Sequence, residues 1–167
     1  MANSNSAASN LVPDSTPVYY VVPVIVGGDV REPVIFFEVA DNNEWTIIPP
    51  KELNALSQGG NSDQVKLVQP PWDVIMANTG LPPEILDQNA RLYAAVARTV
   101  SGQQFLPSVY AVGINLSLTI DVAPGTTRAL ILAFTRTVTG TGLGAVADNE
   151  LTSTNEPEIK NGVGCPD

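Results

Sequence analysis

Two short stretches gather oxygen-bearing side chains at close spacing. Asp41, Asn42, Asn43 and Glu44 stand in VADNNEW, and Asp148, Asn149 and Glu150 stand in VADNEL. Carboxylates and amide carbonyls are what a calcium ion takes, about six to eight oxygens at a time. They ordinarily come from a loop with ligands at alternate positions and a glycine at its sharp turn. Asp41, Glu44, Asp148 and Glu150 are the calcium candidates on that ground. Neither stretch has the EF-hand spacing or its glycine. Asn and Asp also favour turns for a reason of their own, since their side chains bond to nearby backbone and tolerate left-handed conformations. Turn chemistry is therefore the leading expectation for both stretches, with a cation site as the competing one. The flanking residues FFE and GLG do not match, which argues against an internal repeat.

Catalytic chemistry is thinly supplied. The chain has no histidine, so the commonest general base and the usual partner of a serine or cysteine nucleophile are absent. A pair of carboxylates could do acid–base work as in glycosidases, and Glu38, Asp41 and Glu44 are the nearest approach to one. They surround an expected strand end, where solvated acids are common. No GxxxxGK[ST] occurs, and the alternate glycines of GTGLG at 140–144 are not followed by an amphipathic helix. The single cysteine, Cys165, excludes an intrachain disulfide and a cysteine-based zinc site within one chain. No enzyme activity, cofactor or catalytic residue is expected.

The charge balance narrows the partners. Seventeen acids against eight bases give a formal charge of −9, and the bases are scattered from Arg31 to Lys160. Phosphate backbones are held by clustered Lys and Arg, so direct nucleic-acid binding is not expected. Charged residues make up only 15% of the chain, where about 25% is usual, while 44% is hydrophobic and can form a core. A surface so short of charge is covered by small polar residues or by neighbouring chains. The N-terminal stretch lacks the basic start and apolar run of a signal peptide, and no segment is long and apolar enough for a membrane-spanning helix. A membrane partner is not expected, and the location would be a virion, or otherwise the cytoplasm.

These residues must be positioned by a mainly β scaffold. Residues 1–16 are rich in Ser, Asn and Ala and read as an arm. Residues 17–140 form the body, and residues 141–167 read as an acidic tail. PVYYVVPVIVGG reads as a strand buried on both faces, and EPVIFFEV as its returning partner. Short strands follow at 45–48 and 65–68, with a helical turn at KELNAL between them. One helix is expected near residues 83–101. Pro82 and Pro83 open it, Ile85, Leu86, Leu92, Tyr93, Val96 and Val100 make its stripe, Asp87 and Arg91 pair at i,i+4, and Gly102 stops it. In SVYAVGINLSLTID the large apolar residues Tyr110, Val112, Ile114, Leu116, Leu118 and Ile120 alternate with small or polar ones. RALILAFTRTVT alternates again after the turn VAPGTT. The two read as a long hairpin spanning residues 109–139.

The fold expected is an antiparallel sandwich or barrel, with a jelly-roll-like arrangement among the options, one inserted helix and extended terminal arms. The function expected is structural: a self-assembling subunit of a viral or phage particle, as a capsid, decoration or tail protein. Its partners would be copies of itself and other structural proteins. Two alternatives stand beside it, an acidic protein-binding or inhibitory module, and a pore-former that uses the 109–139 hairpin.

Overall fold

A computed structural model describes residues 16–27, 32–55, 63–101, 107–139, 147–153 and 157–161, with backbone alone for 101, 136–139 and 147–153. In chain order, β1 (Val18–Pro23), β2 (Val34–Val39), β3 (Trp45–Ile48), β4 (Leu53–Asn54) and β5 (Gln64–Val68) precede the helix α1 (Trp72–Asn78). After it come β6 (Ala90–Ser101), β7 (Ser108–Ala111), β8 (Ser117–Asp121), β9 (Thr127–Thr139), β10 (Ala147–Ser153) and β11 (Glu158–Lys160). The fold is mostly β. One sheet has the order β3-β2-β1-β5-β8, and the other the order β4-β11-β9-β6-β7 with β10 also on β9. Neither closes into a barrel, and the arrangement is sandwich-like. Each sheet is mixed, because β1 runs parallel to β5 and β11 parallel to β4, while the other pairings are antiparallel.

The two inner faces make one core. Tyr19 and Val21 of β1, Phe36 of β2, Leu67 of β5 and Ile120 of β8 meet Leu92 and Ala95 of β6 and Leu130, Leu132 and Phe134 of β9, all fully buried. A second cluster lies on the far side of the first sheet. There Val22 and Phe37 are covered by Ile75 of α1 and by Leu86, with Trp45 and Trp72 packed around them. Strand β1 is thus apolar on both faces because it has a layer on each side, as its uninterrupted VYYVVP pattern predicts. The β1–β2 pairing, β3 and β5 also lie where the sequence places them. The expected turn before β9 forms with Pro124 followed by Gly125 at φ 79°, and Thr126 N–H donates to Ala123 C=O at 3.1 Å. A positive φ at that position is what a type II turn asks of its third residue.

The helix expected near 83–101 is not there. Pro82 and Pro83 open a single 3-10 turn, Pro83–Ile85, and residues 90–101 are the long strand β6, paired with β9 and β7. Two things imitate a helix in this stretch. Ala, Leu and Arg dominate ARLYAAVARTVS and favour helices locally, and a register shift between Leu92 and Ala94 moves the strand's alternation by one residue. That bulge puts apolar side chains three and four apart, the helical spacing. Ladders on both edges of β6 outweigh the local preference. Asp87 and Arg91 accordingly do not pair with each other. Asn89 N–H donates to Asp87 Oδ1 at 3.3 Å, and Arg91 Nη1 donates to the carbonyls of Gln88 and Ala90 at 2.9 Å each. The α-helix of the described residues is α1 instead, and KELNAL contributes β4 rather than a helical turn.

The 109–139 hairpin is also absent. Strand β7 pairs with β6 in the second sheet, whereas β8 pairs with β5 in the first. Between them the chain changes sheet through residues 113–116, where Asn115 and Leu116 take φ of 59° and 51°. The alternation runs on through this corner because both sheets turn their inner faces to the same core. Tyr110 and Val112 pack on it from one side, and Leu118 and Ile120 from the other. Ile114, at the corner, is 82% exposed. Residues 109–139 therefore do not pair with each other as a hairpin.

Segment 141–167 contributes structure as well as acidity. Strand β10 pairs with β9 from Ala147 to Ser153, and β11 pairs with β9 and β4. Ile159 is fully buried in the core. Residues 1–15 of the 1–16 arm, the GTGLG stretch and Cys165 lie outside the described residues.

Candidate functional site

The calcium candidates fall on separate elements. Asp41 and Glu44 sit in the turn between β2 and β3. Asp148 and Glu150 lie in β10, aligned with Val138 and Arg136 of β9 in the other sheet. The first turn is closed by its own groups. Ala40 N–H donates to Glu44 C=O at 2.9 Å, Asn43 N–H to Ala40 C=O at 2.8 Å, and Glu44 N–H to Asn42 Oδ1 at 3.1 Å. Asn43 takes a φ of 66°, a left-handed conformation that Asn tolerates better than most residues. Among the described residues, no three acidic or cysteine side chains converge as ion ligands.

What the turn does build is an acid-lined concavity of about 400 Å³, bordered by Glu38, Val39, Ala40, Asp41 and Thr46. Glu38 and Thr46 face each other across the β2–β3 ladder. No Lys or Arg occurs between residues 34 and 48 to neutralise them. On the opposite face of β3 from Thr46, Ile47 is 56% exposed, and among the described residues β3 is hydrogen-bonded to β2 alone.

A second concavity, about 390 Å³, opens where α1 meets the β7–β8 corner. Val68, Pro70, Pro71, Trp72 and Leu116 give it an apolar wall, with Arg91 and Asn115 at the polar positions. Gln69 fixes its floor, since its amide spans from the end of β5 to the backbone of β6. Among the described residues that line it there is no carboxylate, hydroxyl or thiol. Sequence reasoning passed over α1. Pro70 and Pro71 before it and Asp73 in its first turn are the same signals as at Pro82 and Pro83, but seven residues are too few for a periodic stripe.

The third surface is the outer face of the second sheet. In one cross-strand row, Val96 of β6 stands opposite Val109 of β7 on one side and Ile131 of β9 on the other. Val109 is 74% exposed, and Val96 and Ile131 are exposed too. The neighbouring row is Ala111, Ala94 and Ala133. Tyr93 and Val100 add two more exposed apolar side chains on β6. Strands β6, β7 and β9 contain no Asp or Glu, yet they hold four of the eight bases: Arg91, Arg98, Arg128 and Arg136. Arg91 and Arg98 are exposed at either end of the apolar rows. Arg128 is buried instead. Its guanidinium donates to the carbonyls of Ala97 at 2.8 Å and Asp121 at 3.1 Å, and to the Tyr110 hydroxyl at 3.2 Å. The sequence showed Val96 and Val100 as apolar, but the helical assignment turned them inward, and only the sheet pairing puts them on an outer face. Comparison of the chain with protein-family models, with curated proteins and with solved structures gives no match.

Proposed function

We propose that this chain is a structural subunit that assembles with copies of itself, and that the outer face of its second sheet is one of the surfaces it assembles through. The row Val109, Val96 and Ile131 carries the reading: three directly opposed apolar side chains lie open on a wide sheet face. A solvated sheet face is ordinarily polar, and contiguous exposed apolar area marks an interaction surface. The low charge of the chain supports the same reading, because a surface with few charges suits burial between subunits.

The finer proposal is a component of a viral or phage particle, as a shell, decoration or tail protein. It rests on the composition: scarce charge, Ser- and Asn-rich stretches at 1–16, and small polar residues and acids at 141–167. The charge of −9 favours a place away from packaged nucleic acid.

Size-exclusion chromatography with light scattering tests the assembly reading. The expected result is a concentration-dependent oligomer that Val96→Asp dissociates without changing the far-UV circular dichroism. A monomer at every concentration up to about 1 mM would overturn it and return the chain to the acidic protein-binding module.

A further inference from the structure

We infer that the cleft between α1 and the β7–β8 corner is a binding site for a small planar apolar molecule that carries a carboxylate. This goes beyond the assembly reading and does not depend on it. The cleft measures about 390 Å³, and Pro70, Pro71 and Trp72 give it flat apolar surface on which a ring can stack. A concave, mostly apolar site with a few polar groups is the usual form of a small-molecule pocket.

The polar group here is a guanidinium held in place. Arg91 Nη1 donates to the carbonyls of Gln88 and Ala90 at 2.9 Å each. That leaves the Nε and Nη2 edge, the pair that meets a carboxylate two-pronged, without a partner among the described residues. The acids of β10 stand in other rows of the sheet. Glu150 and Asp148 align with Arg136 and Val138, whereas Arg91 aligns with Thr135 and, through it, with Leu151. Asn115, exposed at the lip, adds an amide donor.

The corner beside the cleft is strained, and the cleft gives that strain a purpose. Asn115 and Leu116 are both left-handed, with φ of 59° and 51°. Asn tolerates this conformation, but a bulky leucine resists it, and glycine would make the same turn freely. Leu116 is nonetheless kept there, its C=O accepting from Gln69 N–H at 3.0 Å, and its side chain lines the cleft. Strained positions of this kind gather at ligand clamps.

NMR titration of the ¹⁵N-labelled full chain with indole-3-acetate, a flat ring bearing a carboxylate, tests the site. Saturable shifts centred on the Trp72 indole and the Asn115 side-chain amide are expected. Indole without the carboxylate should bind about tenfold more weakly or worse, and Arg91→Gln should abolish that difference. Leu116→Gly should weaken binding of indole-3-acetate without lowering the melting temperature, a result that a merely structural leucine would not give. Inorganic phosphate at equal concentration should leave the shifts in place, since it has no ring to stack. The site would be overturned by the lack of a saturable Trp72 shift up to about 10 mM, by displacement with phosphate, or by an Arg91→Gln chain that binds indole-3-acetate as tightly as wild type. None of these readouts reports oligomeric state, so the assembly reading stands or falls separately.

Discussion

Gln69 is bonded to Leu92 as if it were a strand residue lying beside it. The Leu92 N–H donates to Gln69 Oε1 at 2.6 Å, and the same amide's Nε2 donates to Ala90 C=O at 3.0 Å. One buried side chain thus satisfies two backbone groups at the start of β6 and ties the first sheet to the second. It also holds β6 against the floor of the cleft beside Trp72. An amide has one donor end and one acceptor end, and this site needs both.

Gln69→Leu should therefore lower stability by about 2–3 kcal/mol, because two buried backbone groups lose their partner. Gln69→Glu should cost at least as much, since an ionised carboxylate cannot donate to Ala90 C=O. Urea unfolding of the three chains side by side checks the order. A Gln69→Leu midpoint equal to wild type would show that the bridge contributes nothing.

Arg128 joins four strands from inside. Its guanidinium reaches Ala97 of β6, Tyr110 of β7 and the Asp121 carbonyl of β8 from its own place on β9. Arg128→Met should destabilise by about 2–3 kcal/mol through the acceptors left unfilled. Thermal denaturation provides the measurement. A more stable Met variant would mean that burying the cation outweighs its hydrogen bonds, as happens at some buried ion pairs.

Ile159 is as buried as any core residue although it lies in the acidic C-terminal stretch. Ile159→Ala should cost about 2–5 kcal/mol, the range for removing such a side chain from a packed interior. Deleting residues 157–167 should unfold the domain, because β11 fills the place between β9 and β4. A folded, cooperative truncation product would contradict the placement of β11.

The β2–β3 turn makes a sharper distinction between backbone geometry and ion binding. Asn43→Gly should leave stability level or slightly improved, and Asn43→Val should lose about 1–2 kcal/mol at a φ that a β-branched residue resists. Millimolar calcium should leave the melting temperature of the wild type where it is. A rise with calcium that Asp41→Asn abolishes would restore the cation site.

The strands that could be located from the sequence are those whose burial is simple. VYYVVP is apolar on both faces and sits between two layers, and QVKLV alternates because only one of its faces is covered. The acid–amide turn at 41–44 was equally legible, since Asn at a left-handed position is a local requirement. Strand β6 was not, because a bulge shifted its phase and its alanines favour a helix in isolation. The β7–β8 corner was hidden for the opposite reason, as the alternation stayed intact while the chain changed sheets. The candidate surfaces were legible only as composition: the acids of 38–44 stood out, but nothing local announced that Val96 would have Val109 and Ile131 on either side.

By itself, the sequence determined that this is a β-rich chain with a sizeable core, little charge and no histidine-based chemistry. Those properties are sums over residues or patterns within a few neighbours, and they need no knowledge of what pairs with what. Only the tertiary structure decided that residues 90–101 are a strand, that Ile159 is core, and that the apolar row of Val109, Val96 and Ile131 lies open on one sheet while an acid-lined mouth opens on the other. Each of these depends on contacts between residues distant in the chain. The inner or outer side of a strand is set by its partners' register, and a shift of one residue exchanges the two.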